Sequence, residues 1–187
     1  MFQVEPSQLV GRLACARIGR TYNQYAASPR LRERLRAYLE ARWSSKIVLV
    51  GEAAGYRGAR VSGIAFTSER QLTGAGPAEA TATIVHRVLA QLGVGEEVLL
   101  WNVVPTHPGS ETSNRRPIRS EVKAAAPFLD EMMRGRSTIA IGRVAAAATG
   151  APYVRHPSHG GAAEFEAGMQ QAFATIGRRR AAVRPFL

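Results

Sequence analysis

Hydrophobic positions along the chain alternate between two periods. Leu31, Leu35, Leu39 and Trp43 recur every four residues with arginines between them, which predicts a helix over 31–43. Lys46 to Val50 (K-I-V-L-V) follows as a short apolar run, the mark of a strand buried on both faces. The same alternation continues. Pro77 opens a helix with Ile84, Val85, Val88, Leu89 and Leu92 on its apolar face and Gly93 as its stop. Val98 to Val104 is a second buried strand. A helix over 120–133 contains Pro127 as a local fault or kink. Thr138 to Ile141 is a third strand, followed by a short helix over 143–148. Tyr153 to His156 is a fourth strand, and a last helix covers 161–177 ahead of a basic tail, Arg178 to Arg180. Before all of these come a helix near 6–17 and an irregular stretch from Thr21 to Pro29. Strands alternating with helices predict one α/β domain over 1–187. Its expected architecture is three-layer α/β/α, with a central, mostly parallel four-stranded sheet. Ligands of such sheets bind outside the carboxyl ends of the strands. The loops to read are therefore those after Val50, Trp101, Ile141 and Arg155.

Composition narrows the partner. Of 187 residues, 25 are basic and 14 acidic, a net charge of +11; two of the basic residues are lysines, so 23 are arginines. A domain this basic expects a polyanion or an acidic surface. Asp130 is the one aspartate, so paired-aspartate mechanisms and Asp-rich magnesium sites are poorly supplied. Cys15 is the one cysteine, which excludes an internal disulfide or a cysteine-held iron–sulfur cluster within one chain. No histidine–cysteine pair has zinc spacing. No run of 18 apolar residues and no signal-like apolar core occur, so a cytoplasmic protein without membrane contact is expected.

The strand-end loops carry the polar chemistry. Gly51 to Thr67 (G-E-A-A-G-Y-R-G-A-R-V-S-G-I-A-F-T) is glycine-rich but is neither a P-loop nor a dinucleotide fingerprint. Glu52 suits a substrate contact, or else capping a loop or pairing with an arginine, and Phe66 either a core plug or a stacking platform. Asn102 offers an acceptor and a donor side by side, matching a nucleobase edge, and equally suits a satisfied structural amide. Thr112 to Pro117 (T-S-N-R-R-P) is basic, fitting phosphates or solvent. In H-P-S-H-G-G, His156 sits at the sheet edge, and Ser158 can cap the last helix or contact a phosphate. His86, inside a helix, reads as structural; His107 and His159 are loop residues of open role. A serine-hydrolase reading lacks G-x-S-x-G and a suitable aspartate.

Taken in order, four segments resemble the uracil-DNA glycosylase superfamily, closest to its iron–sulfur branch. These are G-E-A-A-G with G-I-A-F after it; W-N-V-V-P with N-R-R-P-I-R-S-E-V; I-G-R-V-A-A-A-A; and H-P-S. The likeness runs from about Ile47 to Ser158. It departs from that branch in lacking the cluster cysteines, in Ala54 and Ala65 where prolines are usual, and in Ala53 where fast members place an aspartate. Gly55 stands where some members carry a thymine-blocking tyrosine. The resemblance implies a monomeric, cofactor-free glycosylase removing uracil, with other deaminated bases as a possible extension, from single- or double-stranded DNA. Glu52 and His156 would be catalytic. Gly51, Ala53, Gly55, Phe66 and Asn102 would form the base pocket, and Arg115, Arg116, Ser158 and His159 would contact DNA. A non-catalytic protein that holds damaged DNA, and a nucleoside-directed enzyme, are the alternatives.

Overall fold

The computed structural model describes residues 5–182. Its centre is a four-stranded, wholly parallel sheet of β1 (Ile47–Ala53), β2 (Val98–Val104), β3 (Ser137–Ile141) and β4 (Tyr153–Val154), in the order β2-β1-β3-β4. Side chains alternate between its faces. Val48, Val50, Leu99, Trp101, Val103 and Ala140 face α1 (Pro6–Cys15), α3 (Pro29–Arg42) and α7 (Arg119–Met133). Ile47, Leu49, Val98, Leu100, Ile139 and Ile141 face α6 (Ala80–Gln91) and α9 (Ala162–Ala182). The expected three layers are therefore present. Burying each such aliphatic side chain contributes about 1.5–3 kcal/mol, which holds the strand ends in place.

Several boundaries differ from the sequence expectation, each for a local reason. β1 runs three residues past Val50, because Ala53 stays in register with Val104; Glu52 thus lies on the strand, not beyond it. The irregular stretch contains α2 (Gln24–Ala27), nucleated by Asn23, whose side chain accepts the N–H groups of Tyr25 and Ala26. The glycine-rich loop holds two short helices, α4 (Ala59–Ser62) and α5 (Glu69–Thr73). Pro77 does not open α6: its carbonyl accepts from Arg70 N–H, which ties it back to α5, and the helix starts at Ala80. Pro127 does not break α7; it sits on the exposed face, where water can satisfy the carbonyl it leaves unpaired. β4 ends at Val154, whose carbonyl accepts from Gly142 N–H just past the end of β3. Arg155 and His156 therefore leave the sheet as a loop. The short α8 (Arg143–Thr149) follows β3, and the backbone of α9 continues through Arg178–Arg180. The connections from β1 lead to β2 on one side, while β3 lies on the other. That reversal opens a crevice at the carboxyl ends.

Candidate active site

A cavity of about 600 Å³ fills that crevice. Glu52, Phe66, Asn102 and His156 all line it, together with Ala53, Gly55, Arg115, Arg116, Ser158 and His159. Of the residues expected in the pocket or on its rim, Gly51 alone is absent from the cavity lining, and its part is steric. Gly51 is paired with Asn102 across β1 and β2. A Cβ there would collide with the Phe66 ring and come within 2.7 Å of Asn102 Oδ1. Only glycine lets ring and amide meet at the strand end.

Phe66 plugs the core and also borders the cavity. It is 7% exposed, packs with the core beneath α6 and still presents surface to the cavity. Its backbone is held at φ 53°, a strained value for a phenylalanine. The neighbours enforce that turn. Thr67 Oγ1 donates to Ala65 carbonyl and accepts from His86 Nε2 at 3.1 Å, while Ser62 Oγ bonds the carbonyls of Ile64 and Thr67. His86 is thus a structural support of that turn, as its helix position implies.

Asn102 is 5% exposed, yet among the described residues no group hydrogen-bonds its side-chain amide. Its amide is therefore not held by a protein partner among the described residues, and it opens onto the cavity. His156 is arranged differently. Its Nδ1 accepts the Ser158 N–H at 3.2 Å and lies 2.8 Å from Ser158 Oγ. Nδ1 is therefore the bare nitrogen, and Nε2 carries the proton as a free donor. Burial, with His159 and Arg155 nearby, holds this imidazole below the usual histidine range, so it is neutral at pH 7. Ser158 does not cap α9, which begins at Ala162; its hydroxyl is spent on His156.

Glu52 is half-buried and makes no ion pair or hydrogen bond among the described residues, which removes the arginine-pairing alternative. Desolvation pushes its carboxyl above the ordinary range, opposed by the Arg116 charge. The two arginines of the polar loop separate here. Arg115 grips the buried Glu121 with two hydrogen bonds, 2.8 and 2.6 Å, so it anchors its loop to α7, while its side chain stays 40% exposed at the cavity wall. Arg116 is exposed and makes no ion pair among the described residues. His159, at φ 52°, sits exposed at the rim. His107 is fully buried; its ring nitrogens lie 2.7 Å from the carbonyls of Ala54 and Ser110, which latches the first loop to the second.

These motifs converge at one parallel sheet edge, and the sequence over residues 37–177 matches the family described as "Uracil DNA glycosylase superfamily". The chain belongs to the uracil DNA glycosylase superfamily. Its fold is also that of SMUG2 from Pedobacter heparinus, whose wild-type crystal structure superposes with a TM-score of 0.64 over 94% of this chain and 98% of that one, at 13% identity. No curated protein matches the sequence.

Within this superfamily fold, the cavity holds groups that the sequence reading missed. Arg143 and Arg155 stand exposed at the ends of β3 and β4, and Tyr153 is 48% exposed beside them. The strand-end rule pointed to their loops, but charge alone did not separate them from the other arginines. Asn114 accepts Tyr56 N–H at 2.9 Å, a second tie between the first and second loops. Glu79, at the start of α6, also lines the wall. Nothing in its local sequence marks it, because the feature that places it is the pair of glycines, Gly55 and Gly58, opposite.

Proposed function

We propose that this protein is a DNA glycosylase that removes uracil from DNA by hydrolysing the N-glycosidic bond. It would leave an abasic site for base excision repair. The observation that supports the reading is the amide of Asn102, without a protein partner among the described residues, lining one cavity with the Phe66 ring and with His156, whose Nδ1 is occupied by Ser158. A flipped pyrimidine stacks on Phe66, worth about 1–3 kcal/mol for a face contact. Asn102 donates to O4 and accepts from N3–H; cytosine presents the opposite order and is refused. As the bond to the sugar breaks, negative charge gathers on O2 and His156 Nε2–H stabilises it. Glu52 accepts a proton from the attacking water, and its charge favours the cationic sugar. Water adds at C1′ and the base leaves carrying the bonding electron pair, so the step balances with no further reactant. Arg116, Arg143 and Arg155 rim the cavity and suit the phosphates flanking a flipped nucleotide.

The test is incubation of the protein with uracil-containing oligonucleotides, single- and double-stranded, followed by alkali cleavage at abasic sites. Strand scission at the uracil position is expected. DNA binding with no base release would overturn the catalytic reading in favour of a damage-binding protein. Release from free deoxyuridine without salt-sensitive DNA binding would point to a nucleoside enzyme.

A further inference from the structure

A buried carboxylate beside the cavity gathers cations that the site itself does not use. Glu121, in the first turn of α7, accepts both hydrogen bonds of Arg115 and the Ile118 backbone N–H at 3.0 Å. The segment between α1 and α2 closes over it. A Cβ on Gly19 would sit 2.6 Å from Glu121 Cγ, and the Arg20 backbone N–H faces the carboxylate. The next residues are fastened to the loop after β2, where Tyr22 and His107 exchange backbone hydrogen bonds of 2.8 and 3.0 Å. This packing sets the segment of Arg17 and Arg20 against the start of α7, which carries Arg119 and Lys123. All four side chains are exposed, and none makes an ion pair among the described residues. Acids of the neighbouring elements are engaged elsewhere, Glu111 with Arg60 and Glu131 with Arg12.

The fold alone disfavours two of these cations. Arg119 is the first residue of a 15-residue helix, where the positive end of the helix dipole repels it. Lys123 stands four residues on, so like charges meet on one helix face. A polyanion lying there would turn both repulsions into attraction. The topology gives its direction. In the order β2-β1-β3-β4 the patch lies off the β2 side of the crevice, whereas Arg143 and Arg155 follow β3 and β4 on the other side. Arg116, on the cavity wall, joins patch to cavity. From there to Arg119 the chain spans at most about 10 Å, roughly three phosphate steps of ~3.4 Å along one strand. Arg17 and Arg20 also lie outside residues 37–177, the part that matches the superfamily. We propose that Arg17, Arg20, Arg119 and Lys123 form a phosphate track that holds the DNA flank leaving the cavity on the β2 side. The inference rests on the glycosylase reading and adds to it a requirement for several nucleotides on one flank of the uracil.

The experiment compares wild-type protein with R17Q/R20Q and R119Q/K123Q. Binding to a uracil-free duplex is measured across a range of salt. Each pair should lower the slope of log affinity against log salt by about two, and weaken binding at least about tenfold near 0.1 M salt. The melting temperature should be unchanged in R17Q/R20Q and unchanged or higher in R119Q/K123Q, because two repulsions are removed. Single-turnover release at sub-saturating protein is then read on three duplexes, with uracil central, two nucleotides from the 5′ end, or two nucleotides from the 3′ end. Both variants should lose rate on the central duplex and on one end-placed duplex. On the other, which lacks the flank, they should match wild type within about twofold. An unchanged salt slope in either pair overturns the track, as do equal losses on both end-placed duplexes or a lowered melting temperature in R119Q/K123Q. Wild-type release of uracil with unchanged slopes overturns this proposal alone. Lowered slopes with no base release by wild type overturn the glycosylase reading and leave a DNA-binding surface without the reaction.

Discussion

The sharpest consequence of the site concerns how His156 is held. Its ring has two contacts at Nδ1, one from the Ser158 backbone N–H at 3.2 Å and one with the Ser158 hydroxyl at 2.8 Å, while Nε2–H is left for the departing base. Replacing His156 with alanine removes a preorganised donor to developing charge, a loss of about 10²–10³ in rate, or ~2.7–4 kcal/mol. Replacing Ser158 with alanine removes one neutral contact and keeps the backbone one. A neutral hydrogen bond is worth about 0.5–1.5 kcal/mol net, so S158A should lose only about 2- to 13-fold. Single-turnover cleavage of a labelled uracil oligonucleotide measures both. His156 is half-buried and belongs to neither core cluster, so the melting temperature of H156A should stay close to wild type. Because the imidazole is already held below its ordinary range, wild-type activity should not fall as pH rises through 6.5. An H156A rate within tenfold of wild type, with folding intact, would refute the oxyanion role. An S158A loss as large as that of H156A would refute the division of labour between hydroxyl and backbone.

Glu52 should control the acid side of the pH–rate profile. Its carboxyl is raised above 4.5 by desolvation and must be ionised to act, so activity is lost as pH falls through that raised value; E52Q should lower the rate and flatten that limb. The two neighbouring arginines should behave oppositely. R115A leaves the fully buried Glu121 without its guanidinium and should cost about 1–3 kcal/mol of folding stability in urea titrations. Glu121 is held below the usual carboxylate range, so the stability it contributes is present above its unfolded value and lost as pH falls below it. R116A should leave stability unchanged, weaken DNA binding and reduce the salt slope by about one. Loss of stability in R116A with unchanged binding would reverse the assignment.

The layer order, the four strands and the cavity position were legible in the sequence because they follow from apolar periodicity and from the rule for parallel sheets. Glu52, Asn102 and His156 were legible as polar residues at strand ends, and Phe66 through the likeness of G-I-A-F to the family's first motif. What was not legible is pairwise. Arg115 and Arg116 are adjacent and chemically identical, and only the burial of Glu121 six residues after Arg115 separates a structural anchor from a free cation. Ser158 looked like a helix cap because α9 begins nearby, but the turn through His159 and Gly160, both at positive φ, sets the serine back against His156. Helix and strand ends shifted by a few residues wherever a carbonyl found a partner outside its own element, as Pro77 and Val154 did.

The strain at Phe66 connects these observations to function. Holding a phenylalanine at positive φ costs of order 1–3 kcal/mol, and the surrounding bonds of Ser62, Thr67 and His86 oppose its relaxation. A core plug alone would not require that turn, since an apolar ring can pack from ordinary backbone. The turn instead lays the ring against Gly51 beside the amide of Asn102, where burial on one face and the cavity on the other are both satisfied. The ring is thus fixed at the cavity wall by the protein alone. On the proposed reading, flipping a base out of the stack costs a few kcal/mol, and a ring and an open amide already in place would return part of that cost without further ordering.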